Sequence, residues 1–251
     1  MALMENVKRI KEAKAALKTA IKDKGVIVPD DALLSEYPAL VEKIETAADE
    51  LTPIYEIVFD IKTQSMTSFL ELFKGYKGED LTVVRKLDTS KVKNFKGAFS
   101  ECSEITELDL STWDVSSATN MYNMFYRNEK LESLDLSTWD VSSVENMGSM
   151  FYMNKKLKSL DLSSWDVGNV IRFDSFCTFC SALEDFKAPK NIKTSIKFDF
   201  SGLINYESLM SIINNLAPVE TTQTLTLGSD LLNKLSAEDI AIATQKGWTV
   251  K

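Results

Sequence analysis

Histidine does not occur anywhere in the 251 residues. Its absence removes Ser-His-Asp and Cys-His catalysis, His-ligated zinc and the commonest general base near neutral pH. Cysteine is nearly as scarce: Cys102, Cys177 and Cys180 are too few and too unevenly placed for a disulfide framework. Long apolar runs are missing as well. No stretch reaches the about 18 apolar residues that read as a membrane span. Residues 1–25, MALMENVKRIKEAKAALKTAIKDKG, carry Lys and Arg throughout, whereas an export signal has a charged stub followed by an apolar core. The expectation is a chain with no signal peptide and no membrane insertion.

Charge is unevenly distributed. The net charge is −8, but residues 1–24 hold seven basic side chains against Glu5, Glu12 and Asp23, which leaves that segment at +4 and the remainder at −12. An acidic body repels nucleic-acid backbones, so no nucleic-acid partner is expected. The basic leader either docks on an acidic partner or merely solvates a helix face.

What is present in abundance is repetition. The word LDLSTWDVSS stands at 108–117 and again at 134–143, and LDLSSWDVGN follows at 160–169. Trp113, Trp139 and Trp165 therefore recur every 26 residues, with Leu87 and Ile61 upstream in the same column. Phe73, Phe99, Phe125 and Phe151 form a second column, and Phe69, Phe95, Met121, Met147 and Phe173 a third. Self-similarity at such a period marks supersecondary units that cannot cover their own apolar faces and must stack. About five coils are expected over 54–183.

Within a coil, Leu131, Leu134 and Leu136 spell L-x-x-L-x-L, and alternation puts Leu134 and Leu136 inward with Asp135 outward, a short strand. Val144, Met147, Met150 and Phe151 then fall at helical spacing, and Ser142 with Glu145 reads as a capping box, so a short helix or helical turn is expected there. Parallel strands of successive coils align in one sheet.

Upstream, Leu3, Val7, Ile10, Leu17 and Ile21 make an apolar seam on one amphipathic helix, with Lys14 in the skipped position and Gly25 as its stop. The seam either packs on a second helix containing Leu40, Val41 and Ile44 or oligomerises the chain. Downstream, a helix with Leu209, Ile212, Ile213 and Leu216, a strand at 222–227, a helix capped by Ser236 with Asp239, a stop at Gly247 and a strand at 248–250 would cover the last open layer. The domain plan is thus 1–50, an attachment or oligomerisation segment; 51–203, the repeat array; and 204–251, a capping unit.

Candidate sites compete with packing. Asp109, Asp135 and Asp161 line one outward column, either an acidic recognition strip or cation site, or a solvated face that the repeat encodes. Asp88, Asp114, Asp140 and Asp166 form a second column placed to cap orphan amides, and the tryptophans serve as coil filler rather than a sugar platform. Cys177 and Cys180 make a C-x-x-C, but Cys180 shares a column with Cys102, Asn128 and Asn154, so the repeat itself accounts for the position.

The pattern L-x-x-L-D-L-S-x-W-D-V-S-x-V-x-N-M-x-x-M-F resembles the BspA-type leucine-rich repeats of bacterial and protist surface proteins and some phage proteins. It is fullest over 105–183; in the coil before it, Leu87 replaces Trp and the strand leucines are missing. The resemblance implies an α/β right-handed leucine-rich-repeat solenoid used for binding, with no enzymatic activity and no cofactor. The segment IKEAKAALKTAIKDKGVIVPDDALLSEYPALVEKI is similar to the N-terminal segment of tailed-phage fibre and virion proteins, and ESLMSIINNLAPVETTQTLTLGSDLLNKLSAEDIAIATQKGWTV resembles a C-terminal unit of the same proteins. Together they imply a phage virion protein assembled in host cytoplasm. Its expected partners are other virion proteins, further copies of itself, and a host cell-surface protein or glycan. A bacterial surface adhesin is the alternative, and a thiol-dependent enzyme the third reading.

Overall fold

The computed structural model describes residues 66–78, 81, 84, 85, 87–198 and 204–251. The leader expected to be helical, including Leu3, Val7, Ile10, Leu17 and Ile21, lies outside the described residues, as does Ile61.

Successive 26-residue segments lie side by side in parallel. Single parallel bridges join Ser68 to Asn94, Asn94 to Asn120, Asn120 to Asn146 and Asn146 to Arg172, one per coil. The columns read from sequence are the core. Phe69, Phe95, Met121, Met147 and Phe173 are buried, as are Leu87 and the three repeat tryptophans. Phe99 stacks on Phe125 at 5.7 Å and Phe125 on Phe151 at 5.5 Å, while Trp113, Trp139 and Trp165 form a parallel pile with centroids 6.4 and 6.2 Å apart. Each ring buries a large apolar area and adds the smaller gain of aromatic stacking.

The L-x-x-L-x-L segments show the expected alternation, but regular strand pairing appears once. Strand β1 (Ser159–Asp161) pairs in parallel with β2 (Asp185–Lys187), Leu160 lying opposite Phe186. In earlier coils the same segments are extended without a full ladder, joined by single bonds such as Glu132 N–H to the Thr106 carbonyl at 2.9 Å. Leu136 is buried, Leu134 half-buried and Asp135 exposed.

The segment expected to be helical is different in kind. Met147, Ser149, Phe151 and Met153 donate their N–H groups to Arg172, Asp174, Phe176 and Thr178 of the next coil at 2.8–2.9 Å. Between these, Met150, Tyr152 and Asn154 bond three residues back to Met147, Ser149 and Phe151. The result is a run of tight turns with Ser149 at φ 53° and Met153 at φ 59°. A helix this short would leave most of its end amides unbonded and would scarcely repay nucleation, whereas the neighbouring coil satisfies every second amide. The capping box at Ser142 and Glu145 is absent accordingly: Asp140 accepts the Ser142 N–H, and the Glu145 N–H bonds the Thr119 carbonyl.

After the last coil the chain turns to conventional elements. Strand β3 (Ile196–Phe198) precedes helix α1 (Tyr206–Asn215), strand β4 (Gln223–Leu227), the one-turn α2 (Ser229–Leu232), helix α3 (Ala237–Gln245) and strand β5 (Trp248–Val250). The three strands form a parallel sheet in the order β3-β4-β5. Ser236 and Asp239 make the capping box on α3, and Gly247 takes φ 89° with the Val219 carbonyl so close that a side chain there would collide. Bridges from Asp166 to Lys190 and from Ile192 to Leu216 carry the parallel register into this unit.

Candidate functional site

The coils turn their corners on one device, repeated in three columns. Asp or Asn accepts the backbone N–H two residues ahead, mimicking a backbone turn. Asp109, Asp135 and Asp161 hold Ser111, Ser137 and Ser163, each at 3.0 Å. Asp88, Asp114, Asp140 and Asp166 hold Ser90, Ser116, Ser142 and Gly168 at 2.9–3.0 Å. Asn94, Asn120 and Asn146 hold Lys96, Tyr122 and Gly148 at 3.0–3.1 Å. The second aspartate column therefore binds an amide as expected, through a turn rather than a helix cap.

The first column also has electrostatic structure. Arg85 meets Asp109 at 3.2 Å at one end and Lys187 meets Asp161 at 2.8 Å at the other. Asp135 between them has two carboxylates for column neighbours and, among the described residues, no cation partner. The Ser137 amide and hydroxyl hold its carboxyl below the usual range against partial desolvation and the repulsion of Asp109 and Asp161. At Asp161 desolvation is the largest single influence and opposes ionisation. The combined bonds from Lys187 and Ser163 outweigh it and set the pKa at about 2. A shallow groove of about 390 Å³ opens beside the column, lined by Leu81, Leu108 and Leu134 together with Glu107, Asp109 and Asp135. Among the described residues no group of three or more acidic or thiol side chains is placed to hold a metal ion.

The cysteines are structural in their bonding. Cys102 and Cys180 donate S–H to the carbonyls of Phe73 and Phe151, each at 3.1 Å, and Asn154 donates its side-chain amide to Phe125 at 2.9 Å. Three members of one column thus repeat one bond, to a residue 29 positions back, while Asn128 accepts the Cys102 N–H at 2.9 Å. Burial pushes the Cys102 thiol up to about 12 and raises Cys177 well above its ordinary value, so both are protonated thiols at neutral pH and poor nucleophiles.

A surface the column reading overlooked lies along the turn ladder. Tyr126 stacks on Tyr152 with centroids 5.1 Å apart, and Phe179 meets Tyr152 edge to face at 5.4 Å. Phe179 is 48% exposed. The available signal was the 26-residue spacing of Tyr126 and Tyr152 in a column that does not belong to the core.

Residues 64–191, half of the chain, match the family model described as "Mycoplasma protein of unknown function, DUF285". That family is associated with BspA-like repeat proteins. No curated protein and no solved structure shows significant similarity to the chain.

Proposed function

We propose that this chain, which belongs to the DUF285 family, is a non-enzymatic binding protein of a phage virion, built as a right-handed leucine-rich-repeat solenoid that displays its coil surfaces to a protein or host-surface partner. The observation that carries the reading is the economy of the repeat: its recurrent polar side chains are spent on turns, inter-coil bonds and ion pairs. The described residues converge on no set of catalytic groups. A stack whose repeated chemistry is its own packing leaves the exposed columns free to serve a partner. The virion assignment rests on the resemblance of the leader and the C-terminal unit to segments of phage fibre proteins, with the seam of Leu3, Val7, Ile10, Leu17 and Ile21 attaching or oligomerising the chain.

A surface adhesin is the second reading, favoured by the family's association with BspA-like repeat proteins. Immunogold labelling with antibody to the chain separates the two. Decoration of purified particles supports the virion role, decoration of intact cells alone supports the adhesin, and protein confined to the soluble lysate rejects both.

A further inference from the structure

One of three equivalent places in the stack is incomplete in two respects. Leu108 and Leu160 are buried, whereas Leu134 is only half-buried. Asp109 and Asp161 are held by Arg85 and Lys187, whereas Asp135 has no cation partner among the described residues. Leu134 and Asp135 both line the groove of about 390 Å³. A side chain that completes both has an apolar stem and a cationic head. Lysine fits that description, since its methylenes lie along apolar surface while its ammonium reaches a carboxylate at the edge. The paired members of the column use the same chemistry, each meeting a basic side chain of the chain itself.

The sequence holds a segment with the matching pattern. In the leader, the seam of Leu3, Val7, Ile10, Leu17 and Ile21 is interrupted by Lys14, so on the expected helix one cation stands in an apolar stripe, a turn away from Ile10 and from Leu17. Residues 1–24 carry +4 and the remainder −12, so long-range attraction favours the same encounter. Size decides between this chain and a second copy. A groove for one side chain offers an exposed ion pair and a few apolar contacts, far below the about 800 Å² per partner that holds separate chains together. A segment of the same chain needs no such area, because its tether sets the effective concentration. Residues 15–65 supply the reach: even at the about 1.5 Å per residue of a helix they outspan the few coils, about 4.8 Å each, between Met66 and Asp135.

We propose that residues 1–24 dock on the repeat array of their own chain, with the Lys14 stem along Leu134 and its ammonium on Asp135. The contact occupies the seam that attachment or oligomerisation would use, so the two are alternative states of the leader. A partner that takes the leader therefore opens the groove, and one that fills the groove frees the leader.

Carbodiimide coupling of the full chain, which joins an amine to a carboxylate in contact with it, is the test. A mixture of isotope-labelled and unlabelled protein is coupled at low concentration, digested and mapped by mass spectrometry. The expected product joins Lys14 to Asp135 within one copy, and its yield falls in high salt. A second measurement uses trypsin, which cuts after the basic residues of the leader. Cleavage within residues 1–24 should be several-fold faster in Asp135→Asn and unchanged in Asp114→Asn. The asparagine oxygen still accepts the Ser137 N–H, so the first variant keeps the turn. Coupling of Asp135 to a different lysine or to none overturns the contact, as does mixed labelling of the Lys14 product, which would mark a second copy. A cleavage rate that Asp135→Asn leaves unchanged also overturns it. The contact needs no particle, so these results stand apart from those that decide the virion reading.

Discussion

The indole of Trp139 lies parallel to that of Trp165, 6.2 Å away with 1° between planes, yet the two polar ends differ. Trp165 donates its ring N–H to the Leu136 carbonyl at 3.1 Å, as Trp113 does to Val84 at 2.8 Å. The Trp139 N–H is buried and has no partner. One repeat position, filled three times by the same residue, therefore holds two satisfied donors and one orphan.

Removing the ring and removing the donor should consequently have different costs. Trp139→Ala empties a middle layer and should cost about 3–5 kcal/mol in urea unfolding. Trp139→Phe should be milder than Trp165→Phe by about 1 kcal/mol, since only Trp165→Phe breaks a hydrogen bond. Equal losses would mean that the Trp139 donor is satisfied in solution.

The left-handed positions give a test whose sign depends on local structure. Ser149→Gly and Met153→Gly should raise the thermal midpoint, each relieving a backbone cost of about 1–2 kcal/mol less the entropy of the added glycine. Were 144–151 a helix, glycine at 149 would instead destabilise it by about 1 kcal/mol. A lowered midpoint in Ser149→Gly would restore the helical reading.

Acid stability should depend on the aspartate columns. Asp161 has a folded pKa of about 2 against an ordinary 3.8. Its stabilisation is thus fully present above about pH 4 and is lost as pH falls toward 2. Asp88, Asp109, Asp135 and Asp140 are lowered in the same direction by their serine partners. Lys187→Gln should move the acid unfolding midpoint to higher pH. The shift should shrink in high salt, because the pair is exposed and screened.

Thiol reactivity should report the same packing. Cys102 and Cys177 should resist a disulfide-exchange reagent at pH 8 and react fully once urea unfolds the chain. Stoichiometric labelling of the native protein within seconds would mean that the coils open far more readily than their burial implies.

How much of this was legible follows from where each interaction finds its partner. Trp113, Trp139 and Trp165 announced the period, and the phenylalanine columns announced the core, because burial repeats wherever the register repeats. The C-terminal unit was legible down to Ser236, Asp239 and Gly247, since caps and stops are local chemistry. The turn ladder was not. Val144, Met147, Met150 and Phe151 have helical spacing, and nothing within eight residues shows that the Met147 amide bonds a carbonyl 25 positions away. The i+2 turns at Asp135 and Asp140 were readable as D-x-S, but the first was read as an outward solvated or recognition column and the second as a cap. Tyr126, Tyr152 and Phe179 escaped because the columns were followed only where they were expected to be buried.

The inter-coil hydrogen bonds have a consequence for how such a gene changes. Phe69, Phe95, Met121 and Met147 each donate to a carbonyl 25 residues on, so deleting a few residues inside one coil would misalign the amides on both its sides. Adding or removing 26 residues preserves the partners elsewhere in the stack. The near-identical words at 108–117, 134–143 and 160–169 would give recombination places to slip by that unit. Length in this protein is therefore heritable in steps of one coil, and an exposed feature such as the Tyr126–Tyr152–Phe179 strip can be moved along the stack or extended without redesigning the layer beneath it.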